Sequence, residues 1–235
     1  MQIFLSEIEK QYFEELKEFY SPYFANKEEV DTFINKAIQL DWDDRKPRQM
    51  LFHVQRFVNL ATEIDKLLPD RDGLRALFLK CCIDSLAKLS SQNNKKFCKH
   101  FSTLFSDEGK QYILANFSLS HVECIKNGTK TKKHFDLTID DILEIIKAMR
   151  DMVVHEGNYW ELYIFAYDKI NTWLPHIETS RKLLDEATFV RPSNQTITYH
   201  FETTLQYEKF IYYFVEACKN FISNYIESKL QEPLS

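Results

Sequence analysis

Between Thr138 and Val153 the sequence permits little other than a helix. Ile139, Ile142, Leu143, Ile145, Ile146, Met149, Met152 and Val153 recur at the i, i+3, i+4, i+7 spacing that gives a helix one broad apolar face. Thr138 supplies a hydroxyl for the orphan N–H groups of the first turn, Asp140 and Asp141 stand where the helix dipole favours negative charge, and Gly157 is a natural stop.

The same period runs through most of the chain and predicts an all-α helical bundle. Helices are expected over residues 3–20, ended by Pro22, and over 26–40, started by Asn26 with Glu29 three residues on. Pro47 opens a helix to about residue 68, and a short turn then leads to a helix over 74–89, so these two form an antiparallel hairpin. Shorter helices are expected at 95–104, 108–117 and 119–126, another at 175–186, and a final long one at 204–230. Only near 188–201 does the period change: Thr188 to Arg191 and Thr196 to Phe201 alternate and are rich in β-branched and aromatic residues, which predicts one small β-hairpin. With 44% hydrophobic residues, 4 Gly and 6 Pro in 235 residues, the chain has material for one substantial core and none of the composition of a linker.

A net charge of −5 argues against a protein that coats nucleic acid through bulk electrostatics, though not against a local basic patch. Two such patches occur. Lys95, Lys96, Lys99 and His100 form one; Lys126, Lys130, Lys132, Lys133 and His134 form the other, in a stretch expected to be a loop that feeds the Thr138 helix. Lys130, Lys132 and Lys133 are candidates for phosphate contacts, or for a solvated loop. The five cysteines (81, 82, 98, 124 and 218) show neither a CxxC pair nor regular spacing, and no leader or membrane-spanning run is visible, so reduced thiols in a cytoplasmic protein are expected. Asp41, Asp43 and Asp44 read as a salt-bridged turn beside Arg45, Lys46 and Arg48. The histidines at 53, 100, 121, 134, 176 and 200 lack ligand spacing, and neither a metal site nor a cofactor is expected.

The polar material ending the Thr138 helix is the feature that packing does not ask for. Arg150, Asp151 and His155 interrupt an apolar run. On a regular helix positions 150 and 155 lie roughly 140° apart, so they share a site only if the last turn deforms or a second chain completes it. A structural reading stands beside this one: an arginine paired with nearby acids, and a histidine favoured by the C-terminal dipole, capping the helix as a polar cluster with Glu156.

The string Arg150-Asp151 followed by His155, Glu156 and Gly157, closing an amphipathic helix in an all-helical chain, resembles the Arg-x4-6-His motif of the HEPN superfamily, in which Asn or Asp commonly follows the arginine. The resemblance covers residues 138 to about 173. It implies a HEPN-like core over about 47–90, 138–175 and 203–230, with residues 3–44 and 95–126 as additions to a single domain. It also implies a metal-independent endoribonuclease of a toxin–antitoxin or phage-defence system, or else a non-catalytic nucleotide, nucleic-acid or protein-binding module. One departure is informative. Toxin members modified by a partner nucleotidyltransferase carry a Tyr two residues after the His, where this chain has Gly157, so that regulation is not expected here, although Tyr159 is near.

The residue types suit the chemistry. RNA carries its own 2′-hydroxyl nucleophile, and cleavage needs a base, a cation for charge building on the phosphorane, and an acid for the leaving 5′-oxygen. Histidine, with an ordinary pKa near ~6.5, serves as base or acid, and arginine offers a planar fork matched to phosphate. Asp151 is expected to orient Arg150 or His155. One chain offers one such histidine, so a homodimer with RNA as substrate is expected, with an antitoxin or other regulatory protein as further partner and no membrane. A pure interaction protein, docking through the aromatic hairpin and last helix, is the other class left open.

Overall fold

The computed structural model describes residues 7–40, 45–68, 71–126, 129–133, 136–156, 164–165, 171–175 and 195–231. The expected acidic turn at 41–44, the first arm of the expected hairpin at 188–191, and the helix expected over 176–186 lie outside them, as does Tyr159.

The core is the expected helical bundle. Helix α1 spans Glu7–Tyr20, α2 Lys27–Gln39, α3 Lys46–Leu67, α4 Asp72–Leu89, α5 Asn94–Thr103, α6 Asp107–Asn116, α7 Ile139–Glu156 and α8 Tyr207–Gln231. Several begin for reasons visible in the sequence. Asn26 Oδ1 accepts from Glu29 N at 3.0 Å while Glu29 reaches back to Ala25 N at 3.2 Å, a reciprocal cap of the α2 N-terminus. Ser106 accepts from Gly109 N at 3.2 Å at the start of α6 and donates to Glu216 on α8. Gly109 is required by close approach, because a Cβ there would lie 2.8 Å from the Tyr213 ring.

Thr138 caps α7 as expected, and Asp141 has a more specific role than answering the dipole. Its carboxylate accepts from Thr138 N at 2.8 Å and from Thr138 Oγ1 at 2.6 Å, while Asp141 N donates back to Thr138 Oγ1 at 3.4 Å. Thr138→Ala is expected to lower stability by about 1 kcal/mol, the usual worth of an N-cap, and to shift the denaturant midpoint at constant slope. An unchanged midpoint would show the cap to be redundant.

Helices α3 and α4 run antiparallel, since Asp65 meets Arg75 while His53 meets Ser85 one helical span away. Helix α4 is the centre of the bundle, packed on α3, α5 and α7, and α8 closes it against α2, α3, α5 and α6. That position changes which side of α4 is buried. The apolar residues Leu74, Leu77, Phe78 and Cys81 lie at intermediate exposure, whereas Ala76, Leu79, Cys82, Ile83, Leu86 and Ala87 are buried together with Asp72, Arg75 and Lys80. Cys81, Cys82, Cys98 and Cys218 are free thiols, and burial together with a hydrogen bond between the Cys218 and Cys82 thiols pushes Cys218 well above the usual thiol range.

The sheet corrects two expectations. Residues 119–126 do not form a helix, and the strand content exceeds a single hairpin: β1 (Phe117–Lys126), β2 (Thr129–Lys133), β3 (Asn171–Pro175) and β4 (Gln195–Thr203) make an antiparallel sheet in the order β2-β1-β4-β3. The second arm of the expected hairpin is real, but its partners are β1 and β3. The β1–β4 register slips by one residue between Leu119 and His121, leaving Ser120 as a bulge. Before it the apolar residues Phe117 and Leu119 alternate on odd positions; after it Val122 and Cys124 alternate on even ones, with Ile125 following directly. A phase change in mid-strand hides the alternation that would otherwise announce a strand. Pro175 is the last residue of β3. The sheet grows directly from α6, where buried Phe117 stacks on Phe201 at 5.2 Å and Thr204 N donates to Asn116 O.

Candidate functional site at the end of helix α7

Helix α7 is continuous through Glu156, so the last turn does not deform to bring Arg150 and His155 together in one chain. Their separation of roughly 140° around the axis stands. His155 is exposed and has neither a hydrogen bond nor an ion pair among the described residues. Beside it Val154 is 53% exposed, an apolar side chain with no cover.

Arg150 faces the opposite way, toward α4. Its side chain keeps 25% exposure, Nη2 lies 3.7 Å from Asp84 Oδ2, and Nε lies 3.1 Å from Asp151 Oδ1 without hydrogen-bond alignment. Asp151 therefore sits against the guanidinium, the contact expected of an orienting acid, and it does not reach His155. Both the sequence-named arginine and its acid are brought together; the histidine stands apart.

Asp84 is the residue that sequence reasoning missed. On its Oδ1 side it accepts a short hydrogen bond from Lys80 Nζ one turn earlier on α4, and a 3.2 Å bond from Asn94 Nδ2 at the start of α5. Lys80 is 2% exposed. Burying an ammonium is costly unless it is paired, so Lys80 and Asp84 hold each other in place. The available signal was a Lys and an Asp spaced i, i+4 in a helix that is otherwise apolar. Cys81 and Cys98 flank this network, and burial pushes both thiols up; for Cys81 the Asp84 charge adds to that, against the opposing pull of Arg150 and Lys80. Neither is an activated nucleophile.

The basic stretch before α7 is a β-hairpin rather than a loop. Lys130, Lys132 and Lys133 belong to β2, where the backbone of Lys132 pairs in register with Glu123 and that of Lys133 with Val122. Lys96, Lys99 and His100 are exposed on α5, which packs against α7. Among the described residues no group of His, Cys, Asp and Glu is arranged to hold a metal ion, and no helix is long and apolar enough to cross a membrane.

A second polar cluster lies at the other end of α4. Asp72 is fully buried; its Oδ2 accepts from Ile164 N at 2.8 Å and Phe165 N at 2.9 Å, and Oδ1 accepts from Arg75 at 3.2 Å. Arg75 bridges on to Asp65 at 2.9 Å and lies over the Tyr207 ring at 4.1 Å. Burial pushes Tyr207 up to about 12. This cluster ties the chain beyond α7 to α4 and α8; every group named in it faces another protein group, which marks it as architecture.

No protein-family model matches the chain, and neither does any curated protein or solved structure.

Proposed function

We propose that the chain is a HEPN-like, metal-independent endoribonuclease that acts as a homodimer, cleaving RNA through its own 2′-hydroxyl. The observation that carries the reading is the contrast on α7: a guanidinium flanked by two carboxylates yet still partly open, and one turn further an exposed histidine, unengaged among the described residues, beside an exposed Val154. An arginine flanked by two carboxylates is a preorganised cation for charge developing on phosphate, and an exposed histidine is available for proton transfer. A second protomer packed over Val154 would cover apolar surface and set the His155 of one chain against the Arg150 of the other, which a single straight helix cannot do. The exposed cations of α5 and the lysines of β2 would contribute phosphate contacts. An antitoxin or other regulatory protein is a further partner in this reading, in a defence setting.

The braced geometry also favours a second reading, in which Arg150 simply ties α7 to α4 and the module binds without cutting. One experiment separates them. In the first reading the purified protein cleaves RNA in the presence of EDTA and leaves 2′,3′-cyclic phosphate ends, and Arg150→Ala lowers turnover by about 10²- to 10³-fold, by analogy with losing one donor to a developing oxyanion. In the second, Arg150→Ala lowers the melting temperature and changes no cleavage.

A further inference from the structure

Two hydrogen-bond donors and one ion-pair partner, from three helices, converge on one carboxylate. Lys80 of α4 and Asn94 of α5 both donate to Asp84 Oδ1, which leaves Oδ2 directed at Arg150 of α7. A carboxylate held by one contact rotates; one held on a single oxygen by a buried ammonium and an amide has its second oxygen fixed in direction. Lys80 is itself anchored by burial, so the anchor does not move with solvent. The arrangement on Arg150 is correspondingly asymmetric. Nη2 lies in ion-pair contact with Asp84 at 3.7 Å and Nε faces Asp151, while no partner among the described residues engages Nη1.

We propose that Asp84, locked by Lys80 and Asn94, is a positioning residue that aims Arg150: its carboxylate pairs electrostatically with Nη2 while Asp151 faces Nε, so that Nη1 is presented to a phosphate oxygen. The proposal rests on the ribonuclease reading given above. It assigns Asp84 no contact with substrate and no proton transfer. Lys80 and Asn94 act one step further back, through Asp84.

The consequence is kinetic. Arg150 serves a charge that develops in the transition state, so loosening its aim lowers kcat more than it weakens ground-state binding. Asp84→Asn is expected to lower kcat by up to about 10²-fold, the cost of a misplacement of about 1 Å, while KM moves by less than about 3-fold. Asp84→Glu, which keeps the charge, restores part of the loss. Because Asp84→Asn leaves the buried Lys80 ammonium unpaired and endangers folding, the paired variant Lys80→Met with Asp84→Asn is made as well; it removes both charges and shows the same fall in kcat.

The test measures RNA turnover of these variants beside the parent and His155→Ala, and records the Nε–Hε NMR signal of Arg150 in each, a readout independent of cleavage. Support is a lowered kcat together with an Arg150 signal that becomes mobile in Asp84→Asn and in the paired Lys80→Met, Asp84→Asn protein. A parent that cleaves, a silent His155→Ala, and an Asp84→Asn protein with full kcat or an unmoved Arg150 signal would overturn the positioning role and leave the ribonuclease reading intact. A parent that does not cleave RNA would overturn both, whatever the NMR signal does.

Discussion

His155→Ala is expected to lower RNA cleavage by about 10²- to 10⁴-fold, the range for losing a general acid or base. The side chain is exposed and, among the described residues, unengaged in the last turn of α7, so its removal leaves none of them with a buried group unpaired and should leave the melting temperature close to that of the parent. A large kinetic effect without a stability effect separates chemistry from packing. Mixing gives a sharper result. If the site is built from Arg150 of one protomer and His155 of the other, a dimer of one Arg150→Ala chain and one His155→Ala chain retains one intact pair, and cleavage returns on mixing two inactive preparations. No recovery in mixtures shown to exchange subunits would place the site within one chain, against the straight geometry of α7. Equal residual cleavage by parent and His155→Ala would assign the activity to a contaminant.

The largest stability effect is expected at Asp72, far from that chemistry. Asp72→Ala removes the acceptor of two buried backbone N–H groups and one of the carboxylates facing the buried Arg75, and should cost about 3–5 kcal/mol. Asp72→Asn should cost less, since an amide oxygen still accepts from Ile164 N and Phe165 N. The two proteins also differ in pH dependence. Burial raises the Asp72 carboxyl above its ordinary 3.8, against the opposing effect of the Phe165 and Ile164 N–H groups and Arg75. A raised folded-state pKa means that the unfolded chain releases this proton first as pH rises. The stability it contributes is therefore full below about pH 4 and is lost as pH climbs through the folded value. The parent should lose ground to Asp72→Asn over that window, measured as the difference in denaturation free energy between the two. A difference that widens in the parent's favour as pH rises would mean that the contacts with Arg75 and the backbone outweigh burial.

What the sequence determined by itself is local. The apolar period of α1, α2, α3, α7 and α8 sets their existence and, for most of them, the face they bury, because a helix closes its own hydrogen bonds and needs only one stripe to dock. The caps at Asn26 and Thr138 are equally legible, since their partners lie within three residues. The pairing of Arg150 with Asp151 is legible for the same reason. Tertiary structure decided the rest. A strand finds its hydrogen bonds on another part of the chain, so β1 was settled by β2 and by a β4 about seventy residues away, with the bulge at Ser120 erasing the alternation that would have marked it. Helix α4, surrounded by three others, has no single stripe, and its buried Asp72 and Arg75 are tolerated only because Ile164 and Asp65 are brought to them. The aim of Arg150 belongs to the same category: Asp84 lies 66 positions earlier in the sequence, and only the packing of α4 against α7 sets its carboxylate before the guanidinium.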